Sequence, residues 1–543
     1  MPNYIFVTGG VLSGLGKGIS AASIGKLLQF RNYTVTAVKI DGYLNFDAGT
    51  LRPTEHGEVW VTEDGGEIDQ DLGHYERFLN INIPKENNMT SGQIFWQVIT
   101  NEREGKYLGK TVQLIPHVTE EIKRRIRMVA EKSKADFVIV EIGGTVGDYE
   151  NQIFIEAARQ MKFDGDKCVY VHVSYLPVPK YLGEQKSKPT QHSVQKLREL
   201  GILADFIVCR SEMPVDDVRK EKIAMFCNVK KEDVISNPDI ENIYELPLLF
   251  EEQHFGEGLL EKFGLAGQPT EELDKWRAVI SRIKNNGKTV RVGIVGKYFD
   301  IGDFTLRDAY VSVIEAVKHA AWHSGANAEI IWIDSKAFEH DTDKLKVLNC
   351  VNGVIVPGGF GSSGVEGKIA ATRYCRENNI PYLGLCLGLQ LAVVEFARNV
   401  CGLEGAHSTE INPDTKTPVI DLLPWQKEIL QKSKYGATMR LGGQVVKIKE
   451  GTKAFELYGK GEVIERFRHR FEISPDYVKM LENKGFVLSG KSAKEEIMQI
   501  GELKDHPFFV GSQFHPEFTS RFERPSPMFL GFINASLKNN ISG

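Results

Sequence analysis

Cysteine is scarce in this chain: seven thiols in 543 residues, an odd number with no CxxC pair. That spacing supports neither a disulfide framework nor a zinc cage, so a reducing cytoplasm is the expected setting. An excess of positive charge is absent too. The formal net charge of −5 excludes a protein built to grip a nucleic-acid backbone. No apolar run approaches the length that spans a bilayer. Met1-Pro2-Asn3 passes straight into YIFVTGG without the basic region or cleavage site of a signal peptide. No internal repeat and no low-complexity tract is visible. What remains is ordinary globular composition, 42% hydrophobic and 26% charged. The length exceeds what one core usually supports, so two domains are expected.

In the first half, YIFVTGG, TVTAVKID, DFVIVEIGG, CVYVHVS and DFIVCRSE read as buried parallel strands. Segments such as ISAASIGKLLQF and VTEEIKRRIRMVAEKS, with helical spacing, separate them. This alternation predicts an α/β fold with helices on both faces of the sheet. From about residue 264 the texture becomes polar, with Gly and Pro. The expected division is therefore a first domain over 1–265, a linker with one helix over 266–290, and a second α/β domain over 291–543. RVGIVGKY, AEIIWID, VNGVIVPGGFG, PYLGLCLGLQ and FFVGSQFHPEF are the second domain's strand signals.

The first strand runs into GGVLSGLGKGIS (Gly9 to Ser20), a near miss of a phosphate-binding loop. The usual signature requires Ser or Thr after Gly-Lys, whereas Gly18 follows Lys17. A Gly-rich turn between strand and helix still offers backbone N–H groups and the positive helix end to an anion, and Lys17 adds a cation. Other strand ends carry Lys39 and Asp41, and Glu141. Ligands of open α/β sheets bind at such carboxyl ends, and a carboxylate there suits magnesium on nucleotide phosphates. Asp71, in the acidic stretch EDGGEIDQDLGHYERF, is a second candidate ligand. Each signal has a plain structural alternative: a turn that only reverses the chain, a solvated carboxylate for Glu141, an exposed acidic loop for Asp71.

In the second half, GLCLG (Gly384 to Gly388) lies between a strand and a helix, a nucleophile elbow with Cys in place of Ser. The helix N-terminus behind Cys386 favours the reactive thiolate. FHPEF places His515 and Glu517 two apart on extended chain, on one face. His515 is then the base and Glu517 orients it. PGGFG offers Gly359, whose N–H, with that of Leu387, would form an oxyanion hole. A lone cysteine is more often a buried hydrophobe, but elbow, glycine loop and His-x-Glu in one domain point to acyl transfer from an amide.

PGGFG, GLCLGLQ and FHPE resemble the class I glutamine amidotransferases. Together with FVTGG…GLGKG, HGEV, DLGHYERF, EIGGTVGD, KSKPTQHSV, FCNV, VGKY, HSTE, MRLG and RHRFE, the chain as a whole resembles the CTP synthase family. The resemblance implies a P-loop-type, Rossmann-like synthetase domain followed by a class I amidotransferase domain. It implies that ATP phosphorylates the 4-oxygen of UTP and that ammonia from glutamine displaces the phosphate, giving CTP. Carried over by motif, Gly14, Leu15, Gly16, Lys17, Gly18, Ile19 and Lys39 would meet ATP, with Asp71 and Glu141 on magnesium. Ser13, Asp148, Tyr149, Glu150, Lys186, Ser187, Lys188, Pro189, Thr190, Gln191 and Lys222 would line the UTP site, where CTP inhibits. Gly359, Leu387, Gly388, Leu389, Gln390, Glu410 and Arg470 would hold glutamine around Cys386, His515 and Glu517. His56 would lie near the ammonia exit. GTP is implied as activator, with Arg440 a candidate for that response, and the implied assembly is a tetramer that can extend into filaments.

The family's phosphate loop is a shifted one like that of dethiobiotin synthetase, so a missing Ser/Thr after Lys17 is expected and Ser20 need not take the role. Two departures stand out. Gly42 replaces a family proline in DPY, which is expected to loosen the backbone beside Lys39, and the stretch after Tyr298 is longer than expected. The rival readings are an amidotransferase of the cobyrinate-amidating kind, a non-catalytic nucleotide-switched scaffold, and a plain amidase. KSKPTQ and DLGHYERF speak against the first, the complete triad against the second, and the first half against the third.

Overall fold

The computed structural model describes residues 2–51, 57–181, 183–296, 310–359, 362–422 and 439–539. His56, Tyr298, the long stretch 299–309, and the last two residues of PGGFG lie outside the described residues. Two compact units emerge: Met1–Thr50 with Ile68–Ser281, and Leu51–Glu67 with Arg282–Gly543.

The first half of the chain carries strands β1 (Asn3–Gly10), β2 (Val35–Asp41), β3 (Val59–Val61), β4 (Glu67–Asp69), β5 (Asn88–Thr90), β6 (Phe137–Ile142), β7 (Lys167–Tyr175), β8 (Phe206–Ser211) and β9 (Val234–Pro238). The first unit is built on a seven-stranded sheet in the order β5-β2-β6-β1-β7-β8-β9, with every pairing parallel. All residues of β1, β2 and β6 are buried, as continuous apolar runs must be in a sheet covered on both faces. The register sets Glu141 opposite both Val7 and Lys39. The strand ends that the sequence marks as chemical are therefore neighbours. The five expected strands are all present, and the two edges, β5 and β9, are short segments with little apolar signal.

The polar stretch read as a linker differs from expectation. Its helix, Glu271–Lys284, presents Leu273, Trp276 and Ile280 on one buried face. Trp276 is fully buried, lies edge-on to Phe30 at 6.1 Å, and donates from Nε1 to the Tyr244 carbonyl at 2.8 Å. Through Ser281 this helix is part of the first unit.

The second unit adds β10 (Lys288–Gly296), β11 (Ala326–Asp334), β12 (Gly353–Val356), β13 (Tyr382–Leu385), β14 (Ala406–Ser408), β15 (Thr417–Asp421), β16 (Arg440–Ile448), β17 (Glu462–His469), β18 (Glu472–Ile473), β19 (Phe486–Ser492), β20 (Met498–Leu503) and β21 (Phe509–Ser512). Nine of them form one sheet in the order β11-β10-β12-β13-β21-β20-β19-β16-β17. It is parallel from β11 to β21 and antiparallel beyond. The parallel part consists of the strands legible in the sequence. β16, by contrast, alternates buried and wetter positions, so its apolar signal is halved. Among the described residues no helix is long and apolar enough to cross a membrane.

Candidate active sites

In the first unit, β1 turns through the Gly-rich loop into the helix Lys17–Gln29, whose N-cap Gly16 has φ 76°. Ser13 and Gly14 are exposed and Leu15 is buried, which leaves that leucine only its backbone for an anion. Lys17 is buried, and its Nζ donates to the Gly144 carbonyl at 2.9 Å. Burial, with help from the Lys39 charge, lowers its pKa. Ser20 is turned away: its Oγ donates to the Gly16 carbonyl at 3.0 Å and accepts from Asn237 at 3.2 Å. Why Gly stands where Ser or Thr is usual becomes clear at Gly18. A Cβ there would come 2.8 Å from Asp71 Oδ1, so a carboxylate fills the space where other loops place the metal-binding hydroxyl.

Lys39 organises the carboxylates. Its ammonium pairs with Asp71, with Glu141 at 3.0 Å and with Asp41 at 3.8 Å. Burial opposes its charge, but the surrounding carboxylates outweigh that and hold it protonated. Asp71 and Glu141 share this ammonium unequally. Burial acts against both charges, yet Lys39 keeps Asp71 below the usual carboxylate range, while burial pushes Glu141 up. Tyr75 donates its hydroxyl to Glu141. Gly42 is packed rather than loose, since a Cβ there would lie 2.8 Å from the Glu150 Cβ.

The residues expected around UTP are partly brought together. Asp148 accepts from the Thr145 N–H at 2.7 Å, Tyr149 is 90% exposed, and Glu150 backs the end of β2. Lys188, Pro189, Thr190 and Gln191 form the first turn of the helix Lys188–Glu199. Gln191 donates to Ser187 Oγ at 3.1 Å, and Thr190 donates to the Tyr175 carbonyl at 3.1 Å. Lys186 pairs with Glu184. Lys222 is exposed on the helix Asp217–Cys227, and no hydrogen bond or ion pair ties it to the others among the described residues.

A residue that sequence reading passed over links this helix to the phosphate loop. His172 on β7 is fully buried, with Nδ1 2.9 Å from Thr8 Oγ1 and Nε2 2.8 Å from Ser193 Oγ. Burial, reinforced by the Lys17 charge, lowers its pKa to about 3. Between pH 6.5 and 3 an unfolded chain protonates this imidazole and the folded one does not, so stability is present above 6.5 and lost as pH falls. The displacement corresponds to on the order of 5 kcal/mol. Urea unfolding of wild type and His172→Gln at pH 7 and pH 4 is expected to show a smaller pH loss in the variant. An equal loss in both would refute this role.

In the second unit, β13 turns at Cys386 into the helix Leu387–Asn399, and the cysteine itself has φ 51° and ψ −101°. Such strain at a strand-to-helix turn exposes a nucleophile. It is made possible by Gly388, where a Cβ would stand 2.1 Å from the Val356 carbonyl oxygen. His515 Nδ1 lies 2.7 Å from Glu517 Oε1. Burial disfavours the imidazolium, but the Glu517 and Cys386 charges reverse this and raise the His515 pKa to about 10. Gly358 lies between base and nucleophile, its missing Cβ 3.0 Å from His515 Cε1 and 3.7 Å from Cys386 Cβ.

One cavity is lined by Cys386 with Gly359, Leu387, Gln390, Glu410 and Arg470. Gly388 and Leu389 are buried and absent from that lining. His469 and Phe471 do line it, although the sequence reading took only Arg470 from RHRFE. Gln513 was missed as well. Its Nε2 donates to Cys386 Sγ at 3.5 Å, and its Oε1 accepts from Gln390 at 3.3 Å, so a donor chain stands behind the sulfur. Arg440 pairs with Glu495 at 2.8 Å and Glu472 at 3.2 Å.

A strained cysteine with its His-Glu pair, and a phosphate loop beside buried carboxylates, define an amidotransferase joined to a nucleotide-dependent synthetase. The comparisons agree. Residues 3–265 match the family "CTP synthase N-terminus" and residues 305–535 match "Glutamine amidotransferase class-I". The CTP synthase of Methanocaldococcus jannaschii is 51% identical, with 99% of each chain covered. That of Caldanaerobacter subterraneus subsp. tengcongensis is 52% identical over 100% of this chain and 99% of its own. A solved glutaminase domain of Trypanosoma brucei CTPS with bound acivicin is 34% identical over 46% of this chain and 95% of its own, with a TM-score of 0.42. The chain belongs to the CTP synthase family.

Proposed function

We propose that the chain is a glutamine-hydrolysing ligase that aminates UTP to CTP at the expense of ATP, through a 4-phosphorylated UTP. The observation that carries this is that, in one chain of this family, Lys17 and Lys39 stand beside Asp71 and Glu141 at the strand ends, and a strained Cys386 shares the second unit with a His515-Glu517 pair. The thiolate of Cys386 attacks the glutamine amide carbon. His515 gives its proton to the departing ammonia, Glu517 holds the imidazole, and water then releases glutamate from the thioester. Glu410 and Arg470 are suited to the substrate's α-amino and α-carboxylate ends. Lys17 and Lys39 neutralise phosphate charge as the 4-oxygen of UTP attacks the γ-phosphorus. Helix Lys188–Glu199, Lys186, Lys222 and the loop Asp148–Glu150 form the pyrimidine nucleotide site.

Asp71 and Glu141 are the residues that would hold magnesium. Hard oxygen donors fit, and no group of three or more candidate ligands is assembled among the described residues, which suits an ion that keeps waters and phosphate oxygens as partners. When bound, the ion offsets phosphate charge. GTP activation, CTP feedback and a homotetramer able to form filaments belong to the same proposal. So does a cytoplasmic setting, in which the seven free thiols stay reduced.

The test is CTP formation from UTP with ATP and magnesium, supplying either glutamine plus GTP or ammonium. Product from both is expected, with GTP accelerating only the glutamine reaction. Glutamine hydrolysis without CTP from either source would refute the synthetase assignment.

A further inference from the structure

Residues 51–67 sit inside the first half of the sequence yet belong to the second unit. A tight turn shapes them: the Gly65 N–H reaches the Thr62 carbonyl at 3.1 Å, and the Gly66 N–H reaches Thr62 Oγ1 at 2.8 Å. The turn rests on a glycine pair, where the Gly443 N–H donates to the Glu63 carbonyl at 2.7 Å. A Cβ on Gly442 would come 2.6 Å from Gly65 N. Further along, Arg468 Nε donates to Glu67 at 2.8 Å and the Ser312 N–H to Glu58 at 2.9 Å.

At the centre of this segment Trp60 is fully buried. Its ring meets Phe518 edge-on at 5.0 Å and 61°. Phe518 is in turn stacked on the His515 imidazole at 5.1 Å and 21°. The Arg466 guanidinium covers the Trp60 ring at 5.4 Å and donates to the Val61 carbonyl at 3.0 Å. The carbonyl of that same arginine accepts the His515 N–H at 2.8 Å. Side chain and backbone of His515 are thus each one residue removed from the same strand, β3.

We infer that Trp60 is a positioning residue for glutamine hydrolysis, holding the His515 imidazole in line with Cys386 through Phe518. In-plane, Glu517 fixes the imidazole by one nitrogen; a single hydrogen bond leaves rotation about that axis free, and the ring stack removes it. A nucleophile and base need such restraint, since misplacement by about 1 Å costs on the order of 10²-fold in rate. The inference rests on the reading of Cys386, His515 and Glu517 as the triad.

The experiment uses the full-length protein and the variants Trp60→Ala, Trp60→Leu, Trp60→Phe and Glu58→Gln. Basal glutamine hydrolysis is followed across pH, ammonium-dependent CTP formation is measured beside it, and thermal unfolding checks each fold. Trp60→Ala is expected to lower kcat for glutamine about 10- to 100-fold, with KM within about twofold, and to move the pH midpoint of the reaction. Ammonium-dependent synthesis stays at wild-type level. Trp60→Phe restores most of the rate and the midpoint, and Glu58→Gln, which loosens the segment elsewhere, changes neither. Trp60→Leu, which fills the space without a ring, serves if the alanine variant does not fold and behaves like it.

Unchanged kcat in Trp60→Ala or Trp60→Leu would overturn the inference. So would an equal fall in Glu58→Gln, or a fall with an unmoved pH midpoint and no rescue by Trp60→Phe. Failure of the triad itself shows separately, as glutamine hydrolysis surviving in Cys386→Ala.

Discussion

Cys386→Ala is expected to lower glutamine hydrolysis by about 10⁴-fold or more, the scale on which removal of a covalent nucleophile is felt, and to leave ammonium-dependent CTP formation intact. In the proposed reaction the thiol is the group that forms the acyl bond. Alanine keeps the Cβ, so the backbone strain at φ 51° and ψ −101° is the same in the variant, and the fold is expected to survive. His515 loses one of the charges that raise its pKa to about 10. The variant's imidazolium therefore gives up its proton at lower pH than the wild type's, and NMR titration of His515 checks this directly. CTP yield from ammonium and from glutamine, measured on one preparation, decides the main point. Loss of both activities in a folded variant would contradict the division of labour between the two units.

Lys17→Ala is expected to produce the reverse pattern. Lys17 is buried where β1 meets its helix, and its Nζ spans 2.9 Å to the Gly144 carbonyl. Removing one preorganised cation from a phosphoryl-transfer site costs on the order of 10²- to 10³-fold. CTP formation should fall by that factor with either nitrogen source, while basal glutamine hydrolysis stays unchanged. A conservative Lys17→Arg would not rescue it, because the Nζ end of this side chain lies within 2.8 Å of where a Gly9 Cβ would stand. CTP formation retained in Lys17→Ala would sink the phosphate-loop assignment.

The residues proposed for these two sites stood out in the sequence for different reasons. The triad could be read because its parts are local: an elbow needs small neighbours, and His515 and Glu517 lie two residues apart. The phosphate site could be read because apolar runs ending in Lys39, Asp41 and Glu141 fix a parallel sheet and its chemical edge. What could not be read depends on contacts far apart in sequence. Gly18 makes sense only once Asp71 is seen occupying its side-chain space. Gln513 donates to Cys386 across 127 positions, and no spacing rule announces such a pair. Trp276 lay hidden in a polar stretch because one buried face of a helix needs only a few apolar residues, here Leu273, Trp276, Ile280 and Ile283. Of the antiparallel strands beyond β21, β16 escaped notice because it alternates buried and wetter positions and so shows half the apolar signal, while β19 and β20 bury the polar residues Ser489, Ser492, Gln499 and Glu502 among their apolar ones.

The hairpin that carries Trp60 bears on how such a protein can be taken apart. A cut in the polar stretch near residue 281 separates two lengths of chain, but it does not separate two units, because Leu51–Glu67 remains with the wrong piece. The second piece would keep its triad and lose the strand that packs behind it, exposing the glycine pair and the faces of Arg466 and Phe518. In the language of gene fusion, these halves are not modules that could be exchanged at a joint. Any ancestral or engineered exchange of the amidotransferase half has to carry this loop of the synthetase gene along, or else find a substitute for it.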